Sequence, residues 1–432
     1  MVMYSWYPAD PRPRRAIGAL LDAGMNVDLI CLNPVNAPAR ETLGGLNILR
    51  LPITHRRDSK FLYVWNYFAF IIMSAAILAL RSLKRRYDLV YIHNMPDILV
   101  FSSLVPKALG AKVVLDLHDP MPELFTTIFN LDGESPGVRL LRLLEKWSIA
   151  WSNLVVTTNI AFKRLFASRS CSPEKIGIVM NSPNEKIFPC RKPRSNTLEN
   201  AVPDKRFVIM YHGSMVERNG VDLAVDALEQ VVKSVPAAEL RIYGFETPFL
   251  MKVLDSARNR GLEGRVHYFG AKSQEDLVLA IEDCDVGVIP NHRNAFTDLN
   301  MPTRVFEYLT MGKPTISPRT EGIRDYFPTD SMIFFEPGNA QDLARKIENV
   351  AFHYSDALDM AERGQRIYLE HTWSRERHAL IDAVDKLLNG KQTSMTSASH
   401  GHRAGDGSSN SRPASEYPPR DEATPHFVNP EF

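Results

Sequence analysis

Short, nearly continuous apolar runs recur along this chain, each followed by a stretch with helical spacing. In the first half they are VDLIC (27–31), NILRL (47–51), DLVYI (88–92), KVVLD (112–116), LVVTT (154–158) and IGIVM (176–180). In the second half they are FVIMY (207–211), ELRIY (239–243), RVHYF (265–269), VGVI (286–289), PTIS (314–317) and MIFF (332–335). Strands this short and uniformly apolar suit a sheet covered on both faces, and the helices between them make the connections parallel and right-handed. The polar stretch RKPRSNTLENAVPDKR (191–206) separates the two series. The pattern predicts an α/β protein with two doubly wound, Rossmann-like domains, 1–190 and 207–370, joined by the linker 191–206. Residues 371–390 have helical periodicity and are expected to cross back onto the first domain, with Trp373 as a core anchor. From 391 to 432 Ser, Gly, His and Pro dominate. So few aliphatic residues cannot offset the entropy of ordering, which predicts a disordered tail.

One segment departs from the pattern. Residues 61–80 carry no charge, with Asn66 and Ser74 as the main polar breaks. Arg56, Arg57 and Lys60 precede the segment, and Arg81, Lys84, Arg85 and Arg86 follow it. Its length would allow a membrane span. However, DLVYI (88–92) continues the strand series begun before it, and a span would split one sheet across a bilayer. The expectation is a helix buried on one face, with the other in the membrane interface, so that 56–86 contacts a membrane surface. No basic region followed by an apolar run opens the sequence, so no signal peptide is visible. Together these features predict a cytoplasmic protein, peripheral on the inner face of the cell membrane.

Composition adds exclusions. The chain has 432 residues, 44% of them hydrophobic, and a formal net charge of +1. That length exceeds one ordinary core, and the charge gives no field favouring nucleic acid. No basic run is interleaved with aromatics, so nucleic acid is not an expected partner. Cys31, Cys171, Cys190 and Cys284 lack CxxC spacing, which predicts neither a zinc site nor a disulfide framework. No metal site is expected.

Candidate chemistry collects at strand ends, where open α/β sheets bind ligands. In YHGSMVERNGVDLAVDAL (211–228), Gly213 follows a strand and a helix opens near Val221. A glycine lets the backbone approach an anion closely, and a helix N-terminus attracts one. The same turn without any ligand is common in such folds. In LNMPTRVFEYLTMGKPTIS (299–317), a helix start at Pro302 and Thr303 offers free amides beside Arg304. Arg304 suits a phosphate, and Glu307, one turn on, shares its face. The alternative is an Arg304–Glu307 surface ion pair. His93 in YIHN and His118 in DLHD end strands of the first half. Each is a candidate site group, and His118 could instead be a helix-start residue bonded to Asp119 or Glu123. In the loop YPADPRPRR (7–15), Asp10, Arg12 and Arg14 are candidates for an acceptor phosphate, or else a solvated charged loop.

Together with YIHNMPD (91–97), LDLHDPMPELF (115–125) and MNSPNEKIF (180–188), these motifs resemble the retaining glycosyltransferases of family four. The resemblance covers roughly 1–388, and the first-half motifs are similar to members that build bacterial surface polysaccharides. It implies a GT-B fold, with the two domains facing each other across a cleft. It also implies a nucleotide-sugar donor (UDP- or GDP-sugar) as substrate, no cofactor, and a lipid-linked or saccharide acceptor. Glu307 would accept hydrogen bonds from the ribose hydroxyls. Gly213, Ser214 and Arg218, with Pro302, Thr303 and Arg304, would line the phosphates, and Gly270 and Ala271 the base. His118, with Asp119 beside it, would approach the donor sugar. The family often has Arg after the glycine and Lys before the second one, where this chain has Ser214 and Asn219, leaving Arg218 as the substitute cation. A family acid eight positions before Glu307 is replaced by Leu299, beside Asp298. The backbone amides of Asn300 and Met301 are offered in its place. Two other readings remain at this level: a nucleotide-sugar epimerase, and a non-catalytic nucleotide-sugar-binding scaffold of a polysaccharide assembly complex.

Overall fold

The computed structural model describes residues 1–34, 37–53, 60–193 and 206–390. Most of the expected linker and the whole of the expected tail lie outside these residues.

The first sheet has eight strands: β1 (Val2–Trp6), β2 (Val27–Leu32), β3 (Arg40–Leu43), β4 (Leu46–Leu51), β5 (Leu89–His93), β6 (Lys112–Leu117), β7 (Leu154–Thr157) and β8 (Ile176–Ile178). Their spatial order is β3-β4-β2-β1-β5-β6-β7-β8. The second sheet has six: β9 (Phe207–His212), β10 (Ala238–Tyr243), β11 (Val266–Tyr268), β12 (Val286–Val288), β13 (Thr315–Pro318) and β14 (Ile333–Phe335). Their order is β11-β10-β9-β12-β13-β14.

The pairings are parallel, with one exception. β3 runs antiparallel to β4 across the Gly44–Gly45 turn. It is mostly exposed and polar at the sheet edge, so no apolar run announced it. β1, short as it is, sits centrally between β2 and β5.

Each sheet reverses its winding once. In the first, the chain moves from β1 to β2 on one side and returns to β5 on the other. In the second, β10 and β12 flank β9 in the same way. The carboxyl ends of these strands form the two switch-point crevices, where such sheets take ligands. Separate apolar clusters fill the domains. One joins β9, β10 and the helix Val221–Val231. Two others cover the opposite faces of the first sheet.

The C-terminal helix Trp373–Asn389 packs on the helix Pro11–Asp22, and so lies on the first domain. Leu380 and Val384 are buried there, and partly buried Trp373 packs against the same cluster. The domains also meet through the loop after β12. Its Phe296 is buried against the first domain's core, with ring centroids 6.1 Å from Phe162.

Candidate active site

At the second switch point, β9 ends in His212 and the chain turns through Gly213, at φ 132°. A Cβ on Gly213 would lie 2.9 Å from Arg304 Nη1, so the missing side chain is what lets the guanidinium approach. Arg304 Nη2 donates to Asn291 Oδ1 at 2.6 Å, and the guanidinium lies 5.1 Å over the Tyr211 ring. Its buried Nε has no partner among the described residues. A fork donor is thus fixed beside the glycine turn. The helix Val221–Val231 opens from Gly220, whose φ is +70° and whose Cβ would sit 1.9 Å from the Pro290 carbonyl oxygen. Only glycine lets this helix start reach the loop after β12.

The Gly213 amide itself is committed to the Tyr243 carbonyl (3.0 Å), so it is not free to hold a ligand phosphate. Ser214 has a buried hydroxyl with no partner among the described residues, and its carbonyl accepts from the Tyr211 hydroxyl and the Asn219 amide. Arg218 is half-buried, 6.0 Å over the Phe296 ring. Gly270, at φ 70°, accepts from the Gly244 amide, with exposed Ala271 following it. The adjoining Phe269 and Tyr243 rings stack at 5.1 Å.

Pro302 caps the helix Thr303–Thr310, which carries Arg304 and Glu307. These two do not pair with each other. Glu307 Oε2 lies 3.4 Å from His212 Nε2. Burial, together with the nearby Arg304, lowers His212 to about 3, so this histidine is neutral. Burial raises the Glu307 carboxyl to about 7, even against the pull of Arg15 and Arg304.

The sugar-side substitutes are placed differently from expectation. The Asn300 amide donates to the Phe296 carbonyl at 3.0 Å, which leaves it unavailable to a donor sugar. Met301 is buried and precedes the helix start. Leu299 packs against the first domain's core, and its carbonyl accepts from Asn159. Asp298 is paired with Arg293.

Across the cleft, Asp116 is the hub. Arg12 donates to its Oδ1 through Nε (2.9 Å) and Nη2 (2.6 Å), and the Tyr91 hydroxyl to Oδ2 at 3.0 Å. His93 Nδ1 is 3.3 Å from Oδ2. Burial would raise Asp116, but Arg12 and then His93 overcome it and hold the carboxyl far below its usual range. Burial lowers His93, with the hydrogen bond to Asp116 opposing it. Arg12 is therefore an interior strut rather than an acceptor contact. Exposed Arg14 donates to Gln274 across the cleft, and Asp10 caps the helix that follows.

His118 follows β6, its ring centroid 6.5 Å from that of His93. Its amide donates to Asn94 Oδ1 (3.2 Å), and the same Asn94 holds the Asp119 carbonyl (2.7 Å). Glu123 pairs with Arg169 and does not bind His118. The ligand atoms of His93, Asp116 and His118 lie within 4.8 Å of one another. Arg12 already supplies positive charge at this carboxylate, which disfavours adding a cation there.

Sequence reasoning passed over Arg15, Tyr211, His212 and Asn291. Arg15 is held by the Ser182 carbonyl (2.5 Å) and Asn181 (3.1 Å). Its charge acts on Glu307 from the opposite domain. Burial, with Arg12 nearby, lowers it to about 10. The strand-end argument used for His118 would have found His212.

Two parallel sheets with apposed switch points, one carrying a fixed phosphate-type fork, define a GT-B architecture. Comparison with known proteins agrees. Residues 10–182 match the glycosyl transferase 4-like domain and residues 195–366 match glycosyl transferases group 1. The chain belongs to the family-four-type glycosyltransferases of the GT-B fold.

Among curated relatives, the probable glycosyltransferase WbjE of Pseudomonas aeruginosa is 26% identical over 251 residues, covering 56% of this chain and 60% of that protein. The matched relatives are spanned over between 48% and 66% of their lengths. A sucrose-phosphate synthase from Thermosynechococcus elongatus superposes with a TM-score of 0.71 at 18% identity, over 90% of this chain and 99% of that one. Anabaena HepE in complex with UDP-glucose gives 0.66 at 14% identity, over 89% of this chain and 99% of that one.

Proposed function

We propose that the protein is a retaining glycosyltransferase that moves a sugar from a nucleotide donor, UDP- or GDP-linked, to a lipid-linked or saccharide acceptor in glycan biosynthesis. The observation that carries this reading is the fixed Arg304 fork beside the bare Gly213 turn, with Glu307, 13% exposed, one helical turn away. Arg304, the helix start at Thr303 and, from the neighbouring turn, Arg218 supply positive charge to a departing diphosphate, the main electrostatic demand of the reaction. Charge from these groups is what a metal-independent mechanism requires. Glu307 accepts the ribose hydroxyls and serves as a binding group rather than a nucleophile.

In the transfer, the bond from the sugar's anomeric carbon to the donor phosphate oxygen breaks. The acceptor oxygen bonds to that carbon on the same face, and its proton passes to the departing phosphate. His118 borders the reacting sugar from the first domain. The UDP-glucose complex of the similar Anabaena protein favours UDP as the base carrier. The helix Lys60–Lys84 exposes Trp65, Phe68, Ile72 and Leu83, which supports peripheral placement on the inner membrane face, where a lipid-linked acceptor is found.

Thermal shift against UDP, GDP, ADP and their sugars, with and without EDTA, tests the donor reading. Stabilisation by one nucleotide that is insensitive to EDTA is expected. No shift with any of them would refute it. The anomeric configuration of the product, read by NMR, tests retention.

A further inference from the structure

We propose that the helix Pro136–Trp151 is a second docking arm for an anionic bilayer, forming one platform with the helix Lys60–Lys84. This rests on the peripheral-membrane reading above and extends it to a part of the fold that the apolar segment did not indicate.

The helix Pro136–Trp151 has the reverse of a water-facing pattern. Its inward face buries Glu145 and Ser148, with Glu145 held by Arg169 and the Ser170 hydroxyl. Its outward face presents Leu140 at 54%, Leu143 at 41% and Trp147 at 53% exposure. The spacing of three and then four residues puts all three on one stripe. A soluble surface helix is expected to carry polar residues there.

The helix Lys60–Lys84 repeats the arrangement. Phe70, Ser74, Leu78 and Ser82 are buried, while Trp65, Phe68, Ile72, Leu80 and Leu83 face out. Both helices pack against the segment Asp97–Ser103, which lies between them. Leu104, just beyond that segment, is 56% exposed. Exposed apolar stripes on two helices packed against one segment suit an interaction site, and exposed tryptophans suit the boundary between headgroups and acyl chains.

Charge selects the occupant. Residues 60–86 contain no Asp or Glu, and Lys84, Arg85 and Arg86 are exposed at the end of the helix. Lys146 is exposed beside Trp147. The nearby exposed Glu134 is neutralised by Arg139 and Arg142. An apolar stripe bordered by exposed cations complements an anionic lipid surface. Two helices in contact with the bilayer fix the orientation of the first domain, where a single helix would leave it free to roll about its own axis.

The test is sedimentation of the full chain with phosphatidylcholine vesicles, with and without phosphatidylglycerol. The variants are Leu140→Glu/Trp147→Glu on the second arm, Ile72→Glu/Leu83→Glu on the first, and Arg85→Glu/Arg86→Glu. Nucleotide-induced thermal shift serves as the control for folding and the donor site. Each apolar pair is expected to weaken binding about tenfold or more, and the charge variant to lose the preference for phosphatidylglycerol, all with the nucleotide shift retained.

Wild-type binding by Leu140→Glu/Trp147→Glu would overturn the second arm while leaving the first intact. So would a wild-type dimer that this variant converts to monomer, since a second copy would then cover the face. Absence of wild-type binding to either vesicle would overturn the platform altogether. Loss of the nucleotide shift in wild type would count against the transferase reading alone.

Discussion

Replacing Glu307 by Gln removes a carboxyl that the fold holds at an unusual point. Its side chain is 13% exposed, and burial raises it from an ordinary 4.5 to about 7. The folded state therefore binds more protons than the unfolded chain between these values. The associated stability is fully present below about pH 4.5 and is lost as pH rises through about 7. At about 1.4 kcal/mol per tenfold change, the loss amounts to roughly 3 kcal/mol. Glutamine keeps the shape but carries no such titration. Urea unfolding of both proteins at about pH 5 and about pH 8 should show wild type falling relative to Glu307→Gln by roughly that amount. Nucleotide binding adds a second readout, because ribose hydroxyls need the ionised carboxylate. UDP affinity of wild type should rise up to about tenfold from about pH 6 to about pH 8 with proton release. The variant should bind more weakly by about 2–4 kcal/mol, from two charge-assisted hydrogen bonds, and without pH dependence. Parallel stability curves for the two proteins would refute the burial argument, and wild-type affinity in the variant would refute the ribose contact.

Arg304→Ala should lose roughly 1.5–3 kcal/mol of UDP affinity for each phosphate hydrogen bond removed, measured by calorimetry, with Arg304→Lys intermediate because it lacks the fork. Gly220→Ala should destabilise the second domain by roughly 2–4 kcal/mol, since a left-handed residue and a clash with the Pro290 carbonyl combine; an unchanged melting temperature would contradict that geometry. Asp116→Asn leaves Arg12 buried and unpaired, and should cost about 3–5 kcal/mol at neutral pH. Because Asp116 is held low, its contribution is present above the ordinary carboxylate range and is lost as pH falls, so the gap from wild type should narrow in acid.

Most of the strands were legible because buried parallel strands must be apolar on both faces, and twelve such runs stand out between polar stretches. β3 was not, because an exposed edge strand needs no apolar residues. Pairing caused the other misses. Arg12 and Arg14 are alike in a charged loop, and only the fold shows that Arg12 turns inward to Asp116 while Arg15 turns toward Glu307. Likewise, Arg304 and Glu307 share a helix face, yet each is drawn to a residue of another element, Asn291 and His212. Amides already spent, such as those of Gly213 and Asn300, cannot be recognised before the long-range contacts exist.

The chain passes between the domains at two places that are bonded to each other. The Ser182 hydroxyl donates to the His371 carbonyl, and the Ser374 amide to Glu185 at 2.9 Å. Beyond the first passage Phe188 is already buried in the second domain's core, and beyond the second the final helix lies on the first domain. Two tethers side by side act as a seam: they let the halves fold toward each other about one line and resist sliding or twisting. A swing about that line would need only one degree of freedom, and Arg15, held by the Ser182 carbonyl, lies beside it. In such a swing Glu307 and its counter-charge would stay close, while the mouth of the cleft would travel furthest.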